Sequence, residues 1–161
     1  VIDRDGGNFR PLPLGKPFTG QVTGHECWIG GSGEVILTTS EEGWNEILVV
    51  KPGDKRARRL WRGIGPNLAF MHIAASNDGR YFVVDDIHSG RLYVGSIATA
   101  RMLPLCDTGA SCGGPQYTHP HAYMTPGNRR VIFNSDRTGL GQVWSADLPD
   151  GFLAALDLPL P

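Results

Sequence analysis

The chain has 161 residues, about one domain, with 15 Lys and Arg against 16 Asp and Glu and a net charge of −1. This balance gives no electrostatic footprint for nucleic acid or an anionic membrane, and no apolar run approaches the roughly 18 residues of a membrane helix. No charged segment followed by an apolar stretch reads as a signal peptide, and three cysteines, an odd count, argue against a disulfide framework. Free thiols in a reducing compartment, the cytoplasm, are therefore expected, although Cys106 and Cys112 could pair across a loop.

In chain order the elements are short strands set between Gly and Pro turns, which 22 Gly and 12 Pro supply in excess. Residues 1–14 (Val1 to Asp3, the turn Asp5-Gly6-Gly7, then Phe9 to Leu14) match the last two strands of a unit. A first full unit spans 25–62. Its strands are His25 to Ile29, Glu34 to Thr39, Glu46 to Lys51 and Arg58 to Trp61. Turns at Gly30 to Gly33, 41–45 and Pro52-Gly53-Asp54 separate them. A second unit spans 72–106. Asn77-Asp78-Gly79 is its hairpin signal, Ser89-Gly90 its next turn, and Met102 to Leu105 its fourth strand. A third unit spans 119–158, with Pro126-Gly127-Asn128, then Val131 to Ser135, then Gln142 to Asp147. Helical periodicity is hard to find anywhere, and only Gly151 to Leu158 suits a short turn of helix.

The units align on histidine. His25, His72 and His119 open three similar segments at a constant spacing of 47 residues. Four-stranded antiparallel units recurring at about 40–50 residues are the pattern of β-propeller blades. The fold expected is all-β, about three and a half blades of a propeller forming one partial domain over 1–161. A ring takes about four to eight blades, so either further blades of a longer chain or a second copy must complete it. A fragment is the favoured expectation.

First strands of blades line the central channel, so equivalent positions in neighbouring blades converge at one rim. His25, His72 and His119 hold such a position. His121 lies two residues beyond His119 and faces the same way if the segment is extended, as Pro120 encourages. Neutral imidazole is the commonest metal ligand. His72, His119 and His121 with Gln116 from the preceding loop make a three-nitrogen, one-oxygen set that leaves positions open for water or substrate. Such donors accept iron, cobalt, nickel or zinc.

Several motifs, in the same order, resemble the oligogalacturonate lyases, polysaccharide lyases built on a seven-bladed propeller. They are Asp3-Arg4-Asp5-Gly6-Gly7-Asn8-Phe9-Arg10, Gly24-His25-Glu26-Cys27-Trp28 (with Cys27 where the family has Phe), Ser76-Asn77-Asp78-Gly79-Arg80 after His72, Leu105-Cys106, Gln116-Tyr117-Thr118-His119-Pro120-His121, and Phe133-Asn134-Ser135-Asp136-Arg137. The resemblance covers the C-terminal two fifths of a family protein. It implies Mn²⁺ held by His72, Gln116, His119 and His121, and His25 as the base. It also implies β-elimination on short α-1,4-linked galacturonates during intracellular pectin degradation. A fourth imidazole in the metal shell is the rival role for His25. Arg80 and Arg137 are weaker candidates for binding substrate carboxylates. Asp85 and Asp86 either support His72 or cap a turn.

Two other readings stand beside the lyase. A non-catalytic interaction propeller of TolB or WD-repeat type shares the turns, but has no reason to repeat His at one rim. A metal-dependent hydrolase would want a carboxylate base, and Glu26, the nearby candidate, points away by strand alternation. The same alternation predicts that Trp28 packs between blades.

Overall fold

The computed structural model describes residues 1–41, 43–64 and 68–159. Three antiparallel sheets follow one another along the chain. The first contains β1 (Gln21–Val22), β2 (Cys27–Trp28), β3 (Val35–Glu41), β4 (Trp44–Val50) and β5 (Arg58–Ile64). Its order is β1-β3-β4-β5, and β2 also pairs with β3. The second runs β6-β7-β8-β9, from β6 (Phe70–Ala75) through β7 (Tyr81–Asp86) and β8 (Arg91–Ser96) to β9 (Met102–Asp107). The third is β10-β11-β12, from β10 (Tyr123–Met124) through β11 (Arg130–Ser135) to β12 (Gln142–Asp147), and a short helix, α1 (Phe152–Asp157), follows it.

Alternation of side chains explains why these sheets stack. In β7, Phe82 and Val84 face the first sheet, where they meet Ile36, Ile47 and Val49. Tyr81 and Val83 face the opposite way and meet Val131, Phe133 and Leu156. All six residues of β7 are consequently buried, as expected of a strand covered on both faces. Val35, Leu37, Leu48 and Val50 fill the outer side of the first sheet, against Leu12, Leu14 and Val22. This is a partial β-propeller of three stacked sheets, with its inner strands at β1/β2, β6 and β10.

The structure departs from expectation in four places. Residues 1–20 form no strand. Val1 and Arg10 exchange both backbone hydrogen bonds at 2.8 Å, and the segment lies on the first sheet as a turn. The first inner strand is broken in two, because Gly24 takes φ +87°, a left-handed conformation open to glycine at little cost. The third sheet has three strands among the described residues rather than four, while α1 is the short helix expected over Gly151 to Leu158. Trp28 is 51% exposed rather than packed between blades, since no described blade lies on the side it faces. The turn expected over 41–45 includes Glu42, outside the described residues. No helix is long and apolar enough to cross a membrane among the described residues. All three cysteines are free thiols.

Candidate metal centre

The inner strands bring four histidines together. His25 sits in the gap between β1 and β2, His72 lies in β6, and His119 and His121 precede β10. The His72 ring is the hub. Its centroid is 3.8 Å from that of His121, 4.3 Å from His25 and 5.4 Å from His119. His25 and His121 are 5.9 Å apart, as are His119 and His121.

Local backbone places each ring. Thr23 and Thr38 hydroxyls lie 2.6 Å apart, and Thr38 Oγ1 donates to the Met71 carbonyl at 2.8 Å. These contacts tie the broken strand to β6 immediately beside His72. Residues 119–122 are not strand, and His121 takes φ +42°. Left-handed backbone, not simple alternation, turns its ring inward. Gln116 begins a single 3-10 turn, Gln116–Thr118, inside the loop expected from sequence.

The donor atoms have distinct surroundings. His72 is 4% exposed; its Nδ1 lies 2.7 Å from Asp85 Oδ2, and its Nε2 is buried with no hydrogen-bond partner among the described residues. His119 Nε2 lies 2.6 Å from the Gly113 carbonyl, and its Nδ1 is likewise buried and without a partner. His121 Nε2 lies 2.9 Å from Gln116 Oε1. That separation suits a hydrogen bond, and also two adjacent ligands of one ion, which sit about 3 Å apart at bonds of about 2.1 Å.

One donor atom each from His25, His72 and His121 lies within 4.8 Å of the others, close to the about 4 Å between opposite ligands on one ion. His119 and Gln116 stand beside this trio. The residues therefore suit a borderline divalent cation: nitrogen-rich, with an amide oxygen within reach and two buried nitrogens otherwise unsatisfied. Burial first, and then the neighbouring His72, hold the pKa values of His25 and His121 below the usual imidazole range. Both effects favour the neutral form that binds metal or takes a proton.

A cleft of about 230 Å³ opens onto the cluster, lined by His25, Glu26, His72, His121 and Tyr123 among others. Glu26 borders it because the strand is broken there, so alternation does not turn it away. A larger hollow, about 700 Å³, lies between Arg58, Arg80, Thr99 and Asp157 and contains no imidazole. Arg80 is bound to Asp157 at 2.8 Å. Five residues of strand, about 16 Å, separate Arg80 from Asp85, so it stands at the far end of the sheet from the histidines. Arg137 stands at the near end; it reaches the Asp107 carbonyl at 3.3 Å and lies 5.3 Å over Trp144. Sequence reasoning missed the Gly113 carbonyl, since a backbone acceptor leaves no trace in residue type. It also missed the Thr23–Thr38–Met71 link. The Cys112 thiol, in the same loop, is pushed up to about 11 by burial and by Asp85, Asp136 and Asp86, so it keeps its proton at neutral pH.

No family model matches the chain. An oligogalacturonide lyase of Pectobacterium atrosepticum is 27% identical over 170 residues, covering 92% of this chain and 42% of that protein. The chain is similar to the oligogalacturonate lyases. It spans about two fifths of the curated relatives it matches. The crystal structure of an oligogalacturonate lyase from Vibrio parahaemolyticus superposes with a TM-score of 0.69 at 22% identity, over 94% of this chain and 42% of that one. TolB of Acinetobacter baumannii superposes at 0.61 and 18% identity, over 93% and 35%. These structural likenesses support the propeller fold alone.

Proposed function

We propose that this chain carries the metal site of a lyase that cleaves short α-1,4-linked oligogalacturonates by β-elimination. The observation that carries the reading is the four-imidazole cluster with two buried, unpartnered ring nitrogens. Similarity to curated lyases over 92% of the chain supports the substrate class. His72, Gln116, His119 and His121 would hold the ion, read as Mn²⁺, with other divalent transition metals accepted by the same donors. When bound, such an ion supplies charge neutralisation at the uronate carboxylate and so stabilises the enolate-like transition state.

The chain's own residues do the rest. His25, 4.3 Å from His72 between ring centroids, is at the cleft and neutral, and takes the C5 proton of the uronate. The C5–H electron pair becomes the C4=C5 double bond. The C4–O4 bond breaks with its pair on O4, which is protonated from water, leaving a 4,5-unsaturated sugar. Arg137 is read as a partner for a second uronate carboxylate. Further blades, or a second copy, would complete the ring and the substrate cleft. Three free thiols suit the cytoplasm.

The test pairs elemental analysis with the ultraviolet absorbance of the unsaturated product, on digalacturonate with Mn²⁺. His121→Ala is expected to lose the metal and activity together. His25→Ala is expected to keep the metal and lose turnover by about 100-fold or more, the scale of a missing general base. Loss of metal from His25→Ala would instead move His25 into the donor set, as its place in the close trio allows.

A further inference from the structure

We propose that Asp85 is the positioning residue of the cluster, fixing the tautomer of His72 so that Nε2 presents a lone pair to the other imidazoles. This rests on the reading of His72 as a metal donor. Asp85 is fully buried and spends both carboxylate oxygens on one residue. Oδ2 lies 2.7 Å from His72 Nδ1, and Oδ1 accepts the His72 backbone N–H at 2.9 Å. A carboxylate oxygen at this distance accepts from the ring, so Nδ1 carries the hydrogen, and in the neutral ring tested below Nε2 does not. Nε2 is then a buried acceptor with no partner among the described residues, and a cation supplies one.

His119 is held the opposite way round. The Gly113 carbonyl, which also can only accept, takes the hydrogen from Nε2 at 2.6 Å and leaves Nδ1 as the second buried lone pair. The two rings therefore offer different nitrogens, each fixed by a different kind of acceptor. Turn capping, the competing role for these aspartates, falls to the neighbour. Asp86 accepts from Ala69 N–H, His88 N–H and Ser89 Oγ, and makes no hydrogen bond to an imidazole among the described residues. Adjacent strand residues point to opposite faces, which is why two consecutive aspartates have different work.

Nitrogen-15 spectra of the full metal-free chain at alkaline pH test this directly. His72 is expected as the Nδ1–H form and His119 as the Nε2–H form. Asp85→Asn keeps the shape but can turn an NH₂ group toward Nδ1. His72 should then switch to the Nε2–H form, and Mn²⁺ affinity by titration calorimetry should fall about 10–100-fold. Asp86→Asn should lower thermal stability while leaving the tautomer and the affinity unchanged. Finding His72 as Nε2–H in the wild type overturns the proposal, even if Asp85→Asn does not fold. Unchanged Mn²⁺ affinity in a folded Asp85→Asn chain overturns it as well. Neither readout needs turnover, so a chain that binds metal but yields no unsaturated product counts against turnover by this chain alone and leaves the present proposal standing.

Discussion

Single residues in this chain are placed by contacts from distant parts of the sequence. Asp78 lies in the first turn of the second sheet. It accepts from Ser76 Oγ at 2.6 Å and from Arg80 N–H at 3.1 Å, and it reaches across to Asn128 Nδ2 at 2.8 Å. Burial alone would raise its pKa, but these hydrogen bonds outweigh it and hold the carboxyl below its ordinary value of 3.8. A depressed native value means that the stabilisation is complete above the unfolded value and is lost as pH falls through the native one. Urea midpoints measured from neutral to acid pH should therefore fall below about pH 4. Asp78→Asn should start lower and flatten that part of the profile. An unchanged acid limb in the variant would show that other carboxylates carry it.

Strands depend on what lies across the ladder. Phe82 and Gly95 are opposite one another in β7 and β8, and Phe82 is completely buried. A Cβ added at Gly95 would sit 2.2 Å from Phe82 Cζ, well inside contact distance. The missing side chain makes room for the ring that joins the first two sheets. Gly95→Ala should cost about 1–3 kcal/mol by overpacking, read as a lower denaturation midpoint with an unchanged slope. A neutral substitution would mean that the ring has somewhere else to go. The strand positions were legible in the sequence because turn residues and apolar runs recur with period, and β7 and β8 fall close to where the pattern puts them. The break between β1 and β2 was not legible: the pattern runs one strand from His25 to Ile29, whereas the strand residues found there are Gln21–Val22 and Cys27–Trp28, parted by the left-handed turn at Gly24.

The molecule as a whole is held by faces, not by one core. The second sheet is covered on both sides, by the first sheet and by the third. Helix α1 closes the second of these layers. Leu156 is fully buried there, its carbonyl accepts from Thr99 Oγ1 at 2.6 Å, and Asp157 binds both Arg80 and the Tyr81 hydroxyl at 2.8 Å. Leu156→Ala should lose about 2–5 kcal/mol, with the second and third sheets unfolding together in denaturant. A loss well below that range would place α1 outside the cooperative unit. The open flanks carry Trp28 on one side and Tyr123 and Val143 on the other, all more than half exposed.

The sequence by itself determined the repeating unit, the all-β class and the register of histidine. Each of these is a property of spacing. Tertiary structure decided which nitrogens of His72 and His119 are left without a partner, and how close His25 comes to His72. Those outcomes rest on contacts between residues far apart in the chain. His72 meets a carboxylate 13 residues on, and Thr23 lies within 3.3 Å of a carbonyl 48 residues on. His119 is fixed by a backbone oxygen that no residue type announces. Spacing brings the four imidazoles to one rim; only packing orients them.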